Sequence, residues 1–220
     1  MKIKHVLVIA AAAGLTGIAS ADTVTAQYSG RFNQNINVTQ VGVHNGDILT
    51  VTFDWTRLDS AGPGVDATLP MNFPGYCIEI GQTVAGGTPY VYEVQTAAMH
   101  GFTALQEVLL GRLWNSYQGA VIDPATSGAF QMAVWELAFD AGADLSSGNF
   151  TGNGGAGIVA TSQSWLNAIN APGYSGGQAP ISVLHHESAQ DQLVPAPGSI
   201  ALLGMGGVLL TKRRRLPNGK

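Results

Sequence analysis

The first half of the chain alternates apolar and polar positions with a period near two. Residues 23–32, 36–43, 48–58, 76–80 and 90–94 are rich in Val, Ile, Thr and aromatics, and Gly, Asn, Asp and Pro separate them. That pattern predicts five strands, with residues 59–70 as a surface loop around Gly62, Pro63 and Gly64. The second half changes period. Leu105, Val108, Leu109, Leu110, Leu113 and Trp114 recur at helical spacing within 103–117. A second helix runs through Phe130, Val134, Trp135 and Leu137 to about Phe139, with Asp123 or Thr126 as its cap and Gly142 just past its end. Residues 156–169 predict a third helix closed by Pro172 and Gly173, and 181–184 a returning strand. Strands, then helices, then a strand predict an α+β domain: an antiparallel sandwich or barrel-like N-terminal half with an inserted helical subdomain.

The two ends differ from this middle. Lys2 and Lys4 precede an apolar stretch from Val6 to Ile18, and Ala19-Ser20-Ala21 has the small-x-small pattern of a signal-peptidase site. Residues 1–21 are therefore predicted to be a signal peptide that leaves Asp22 as the mature N-terminus. At the other end, residues 188–193 read as a polar linker. They lead to Val-Pro-Ala-Pro-Gly, an apolar run from Ile200 to Leu210, the cluster Lys212-Arg213-Arg214-Arg215, and a short tail at 216–220. The apolar run has 11 residues, whereas a helix needs about 20 to cross a bilayer. It suits transient membrane insertion better than permanent anchoring.

Charge separates the same parts. All fourteen acidic residues lie between Asp22 and Leu193, against only Arg31, Arg57 and Arg112, so this segment carries a net charge of −11 and the whole chain −4. Nucleic acid and anionic lipid both require a basic patch and are excluded as partners. The segment contains no lysine, and Cys77 is the chain's one cysteine, so no internal disulfide forms. His185-His186-Glu187 invites a metal reading, but adjacent strand residues point to opposite faces. No second cluster sits at ligand spacing, so no metal or cofactor is expected.

Residues 194–215, with Pro195, Pro197, Arg213, Arg214 and Arg215, resemble the PEP-CTERM sorting signal of bacterial surface proteins. The resemblance implies export, processing by signal peptidase and by an exosortase, and a final place at the cell surface or in an extracellular polymer matrix. Two internal motifs, Tyr76-Cys77-Ile78-Glu79 on a strand and Phe130-Gln131-Met132-Ala133-Val134-Trp135-Glu136 on a helix, together resemble the Cys–Gln thioester domain of bacterial adhesins. That resemblance implies a bond between the Cys77 sulfur and the Gln131 side-chain carbonyl, formed with loss of ammonia. Tyr76, Ala133, Trp135 and Glu136 would support it.

A thioester stores an electrophile that a surface amine or hydroxyl can attack once, so the chain is expected to be a reagent rather than an enzyme. The absence of lysine suits such a store. The bond would also close a loop of about 55 residues, which the chain-entropy treatment of crosslinks credits with roughly 4 kcal/mol. Three other readings stand beside it. Cys77 is a small buried hydrophobe; the protein is a passive component of the polymer matrix with no reactive bond; or Glu79 and Glu136 form a hydrolytic carboxylate pair.

Overall fold

The computed structural model describes residues 22–62, 69–140 and 142–196. The expected cleavage residues Ala19 and Ala21, and Pro197, Arg213, Arg214 and Arg215 of the expected sorting signal, lie outside the described residues. Among the described residues no helix is long and apolar enough to cross a membrane.

Two long strands form the frame. β1 (Thr23–Gln40) and β2 (His44–Ala61) pair antiparallel along their whole length through a three-residue turn, in which Gly42 adopts φ +77°. Register shifts at Thr25/Ala26 and Gly30/Asn33 bend β1. Its first residues therefore pair with β4 (Pro89–Gln95), and its last with β5 (Phe150–Gly152). The sheet runs β2, β3 (Asn72–Cys77), β7 (Gln192–Pro195), β6 (Ile181–His185), β4, β1, and the β1–β2 pairing closes it into a six-stranded barrel with β5 appended. Closure leaves these six strands without a free edge.

Alternation along β1 and β2 turns an aromatic row inward. Tyr28 meets Phe53 edge-on at 4.8 Å between ring centroids, and Trp55 meets Tyr92 at 5.4 Å. Gly75 on β3 lets the backbone pass this row: a Cβ there would lie 2.7 Å from Trp55 Nε1.

A short helix α1 (Ala97–His100) leads to α2 (Ala104–Tyr117), which opens on a Thr103–Gln106 capping box. α3 (Pro124–Phe139) opens on Asp123, whose carboxylate accepts the Thr126 N–H, with Pro124 in the first turn. Hydrogen bonds from Thr126 hold the Asp123 carboxyl below its ordinary range. α3 is apolar on every face, and every residue from Ser127 to Leu137 is buried. A helix of that composition belongs inside, and α3 packs between the barrel on one side and α2 and α4 (Ala156–Asn170) on the other.

The structure corrects four expectations. Residues 23–40 form one bent strand rather than two, and 41–43, expected to end the second strand, are the turn into β2. Asp59–Ala61 continue β2 instead of entering a loop. The strand expected at 76–80 is β3, which ends at Cys77. The expected linker at 188–193 is core: Ala189 to Val194 are buried, and Val194 and Pro195 of the expected sorting signal belong to β7. Polar Gln190, Asp191 and Gln192 disguise this segment in the sequence, because their burial serves the site described next.

Candidate functional site

Cys77 ends β3 opposite Gln192 of β7. Residues opposite each other in an antiparallel pair share a face, and so do residues two apart on one strand. Cys77 and Gln192 are thereby directed to one side, and Gln190, two residues before β7 begins, reaches the Cys77 sulfur from the preceding turn. The thiol donates a hydrogen bond to Gln190 Oε1 at 2.9 Å, and both residues are buried. Gln190 Nε2 in turn donates to the Glu79 carbonyl at 3.0 Å, so each end of its carboxamide is fixed. Burial pushes the Cys77 thiol far above its ordinary range, and the Gln192 side chain opposes that rise.

Gln131 reaches Cys77 differently. The Ile78 N–H faces β7, bonding Asp191 O at 3.1 Å, so strand alternation turns the Cys77 main chain the other way. There the Gln131 carboxamide takes the place of a neighbouring peptide: Oε1 accepts the Cys77 N–H at 3.0 Å, and Nε2 donates to the Cys77 carbonyl at 2.7 Å. Gln131 is fully buried on α3, so this pair docks the helix to the barrel end.

No family model matches the sequence, and no curated protein matches it. Among solved structures, the N-terminal thioester domain of a surface protein from Clostridium perfringens is similar. Identity is 11%, 80% of this chain and 99% of that chain are covered, and the TM-score is 0.45. The site is therefore defined by its own geometry.

A cavity of about 250 Å³ opens onto the Cys77–Gln190 pair, lined also by Tyr28, Phe53, Gln82 and Trp135. Tyr76 turns from this cavity toward the helices and packs against Trp114 and Phe130. Ala133 is fully buried in α3. Glu136 is buried beside a different loop, where its Oε1 accepts the Asp144 N–H at 2.9 Å. Burial raises its carboxyl to about 7, aided by Asp140 and Asp144 and opposed by that N–H. Glu79 instead accepts the Asp191 N–H. The two carboxylates share no hydrogen-bond partner among the described residues, and nothing here builds the hydrolytic pair.

Both ends of the Gln131 carboxamide are spent on the Cys77 main chain, and the carboxamide hydrogen-bonded to the sulfur is that of Gln190. The one trace of Gln190 along the chain is its alternation with Gln192 just before an apolar Leu-Val pair.

Proposed function

We propose that this chain is an exported bacterial surface protein that attaches itself covalently through a thioester between Cys77 Sγ and the Gln190 side-chain carbonyl. The observation that carries this reading is the buried 2.9 Å hydrogen bond from the thiol to Gln190 Oε1. That contact places the sulfur beside the electrophilic carbon while the thiol proton points at the oxygen. Addition forms the S–C bond and moves the proton onto the carboxamide. Collapse of the tetrahedral adduct expels Nε2 as ammonia and leaves the thioester. Gln131 holds the Cys77 backbone still during both steps, and the Glu79 carbonyl holds the departing nitrogen.

An amine or hydroxyl on another surface then attacks the carbonyl, breaks the C–S bond and frees the Cys77 thiol. The chain acts once and is not a catalyst. The cavity at the pair is the route of approach, and its walls carry no charged group. The lysine-free segment protects the store from self-attack. Delivery rests on the signal-peptide reading of residues 1–21 and on recognition of the tail by an exosortase. Because Val194 and Pro195 belong to β7, tail removal that spares the fold has to occur beyond Ala196.

Intact mass and methylamine mapping test this reading. The purified protein should be lighter than its sequence by one ammonia. Methylamine should add once, unmask Cys77 to alkylation, and leave an N-methylated glutamine at position 190. A mark at 131 or 192 would move the acyl role to that residue. An unshifted mass with a freely alkylated Cys77 would leave the passive matrix component as the reading.

A further inference from the structure

Beside this pair, three side chains from separate elements converge on one point. His100 ends α1, His185 ends β6, and Asp191 precedes β7. His185 Nδ1 lies 2.8 Å from Asp191 Oδ2, and His100 Nδ1 lies 3.7 Å from the same oxygen, beyond hydrogen-bonding distance. The three donor atoms all fall within 4.8 Å of one another. Donors bound to one tetrahedral ion at about 2.0–2.2 Å stand a little over 3 Å apart, so a small inward shift of His100 would close them around a cation.

The surroundings fit that occupant. The second carboxylate oxygen, Asp191 Oδ1, accepts the His186 N–H at 2.8 Å, and the Asp191 N–H is held by Glu79 Oε1 at 2.9 Å. This is the outer support that keeps a metal-binding carboxylate oriented. A cavity of about 370 Å³ on the His185 side of the cluster is lined by Glu93, His185 and Glu187 and by no basic side chain other than histidine, which places two carboxylates near that ligand. His186 belongs to the loop instead: its Nδ1 accepts the Ser188 and Ala189 N–H groups. The adjacent His185-His186 pair thus misleads in the sequence, because the partners of His185 are 85 residues before it and six after.

We propose that His100 Nδ1, His185 Nδ1 and Asp191 Oδ2 form a binding site for one divalent transition-metal ion of the zinc type, with a fourth position open to water. Two imidazoles and one carboxylate match the donor set and open coordination of three-ligand zinc sites, and imidazole disfavours calcium and magnesium. The ion would clamp α1 to the β6–β7 corner one residue from Gln190. The site stands whether or not the thioester forms.

Calorimetric titration of the untagged, chelator-treated protein with zinc chloride tests it, together with a cobalt(II) titration followed by visible absorption. One saturable site per chain and a tetrahedral-type cobalt spectrum are expected. His100→Ala and His185→Ala should each weaken zinc binding at least about tenfold, while His44→Ala on the distant hairpin should leave it unchanged. Absence of saturable binding in the unaltered protein overturns the proposal. So does binding that survives both histidine substitutions, or that calcium or magnesium reproduces equally well.

Discussion

The Gln131 carboxamide bonds both main-chain groups of Cys77, taking the N–H at 3.0 Å and giving to the carbonyl at 2.7 Å. A side chain that stands in for a strand is structural first. Its removal strands two buried backbone groups, each costing about 1–3 kcal/mol. In a Cys77→Ala background, where no crosslink can form, Gln131→Ala should therefore lower stability by about 2–4 kcal/mol. Gln190→Ala in the same background frees only the partly buried Glu79 carbonyl and should cost about 1 kcal/mol or less. Urea unfolding measures both, and equal losses would contradict this division of roles.

With Cys77 present the order reverses in chemistry. Gln190→Ala should abolish the ammonia loss, since the Gln190 carboxamide is the one that accepts the thiol's hydrogen bond. It should also remove the crosslink's contribution, roughly 5 kcal/mol for a loop of 113 residues between positions 77 and 190. Intact mass and unfolding midpoints of the single variant, compared with the unaltered protein, read the two effects separately; an ammonia loss that persists would assign the acyl role to Gln192, which lies opposite Cys77.

Glu136 sets a pH dependence of its own. Burial raises its carboxyl from the usual 4.5 to about 7, so between those values the folded state holds a proton that the unfolded state has released. Stability from this group is then full below about pH 4.5 and falls as pH rises toward 7, by about 2 kcal/mol in all once solvent screening reduces the full effect of about 3 kcal/mol. Glu136→Gln keeps an acceptor for the Asp144 N–H and cannot ionise. The variant should match the unaltered protein near pH 4.5 and exceed its stability at pH 8. Parallel stability profiles for the two proteins would refute the assignment.

Much of the fold is legible in the sequence, and the exceptions share a cause. The helices announce themselves through local periodicity and, for α3, through the cap residues Asp123 and Thr126 at its start. The closure of β1 onto β2 and β4 depends on bulges near Ala26 and Gly30 that no periodicity reports. The Cys77 strand and the Gln131 helix carry recognisable motifs, so their meeting was readable, but which end of Cys77 the glutamine touches was not. Gln190, Asp191 and His100 were missed for a simple physical reason. Buried polar residues that serve a site look, in one dimension, like solvated linker.

Gly75 gives a packing test close to the site. A methyl group there would lie 2.7 Å from Trp55 Nε1 and 2.8 Å from Trp55 Cδ1, in a row with little room to yield. Gly75→Ala should cost about 1–3 kcal/mol through overpacking. Thermal unfolding and Trp fluorescence check it; an unchanged midpoint would mean that the aromatic row relaxes freely.

The absence of lysine from residues 22–193 can be turned into an experiment. Gln82 lines the cavity that opens onto Cys77 and Gln190, and its Oε1 has no hydrogen-bond partner among the described residues. Gln82→Lys introduces a primary amine beside the stored acyl group without removing a bonded partner of that oxygen. Once the thioester forms, the lysine nitrogen should attack the Gln190 carbonyl, break the C–S bond and leave an amide crosslink with a free Cys77 thiol. The variant should keep the mass deficit of one ammonia, alkylate at Cys77 after unfolding, and no longer accept methylamine. A variant that still accepts methylamine as the unaltered protein does would show that lysine in this cavity is harmless, and that the lysine-free composition has no protective role.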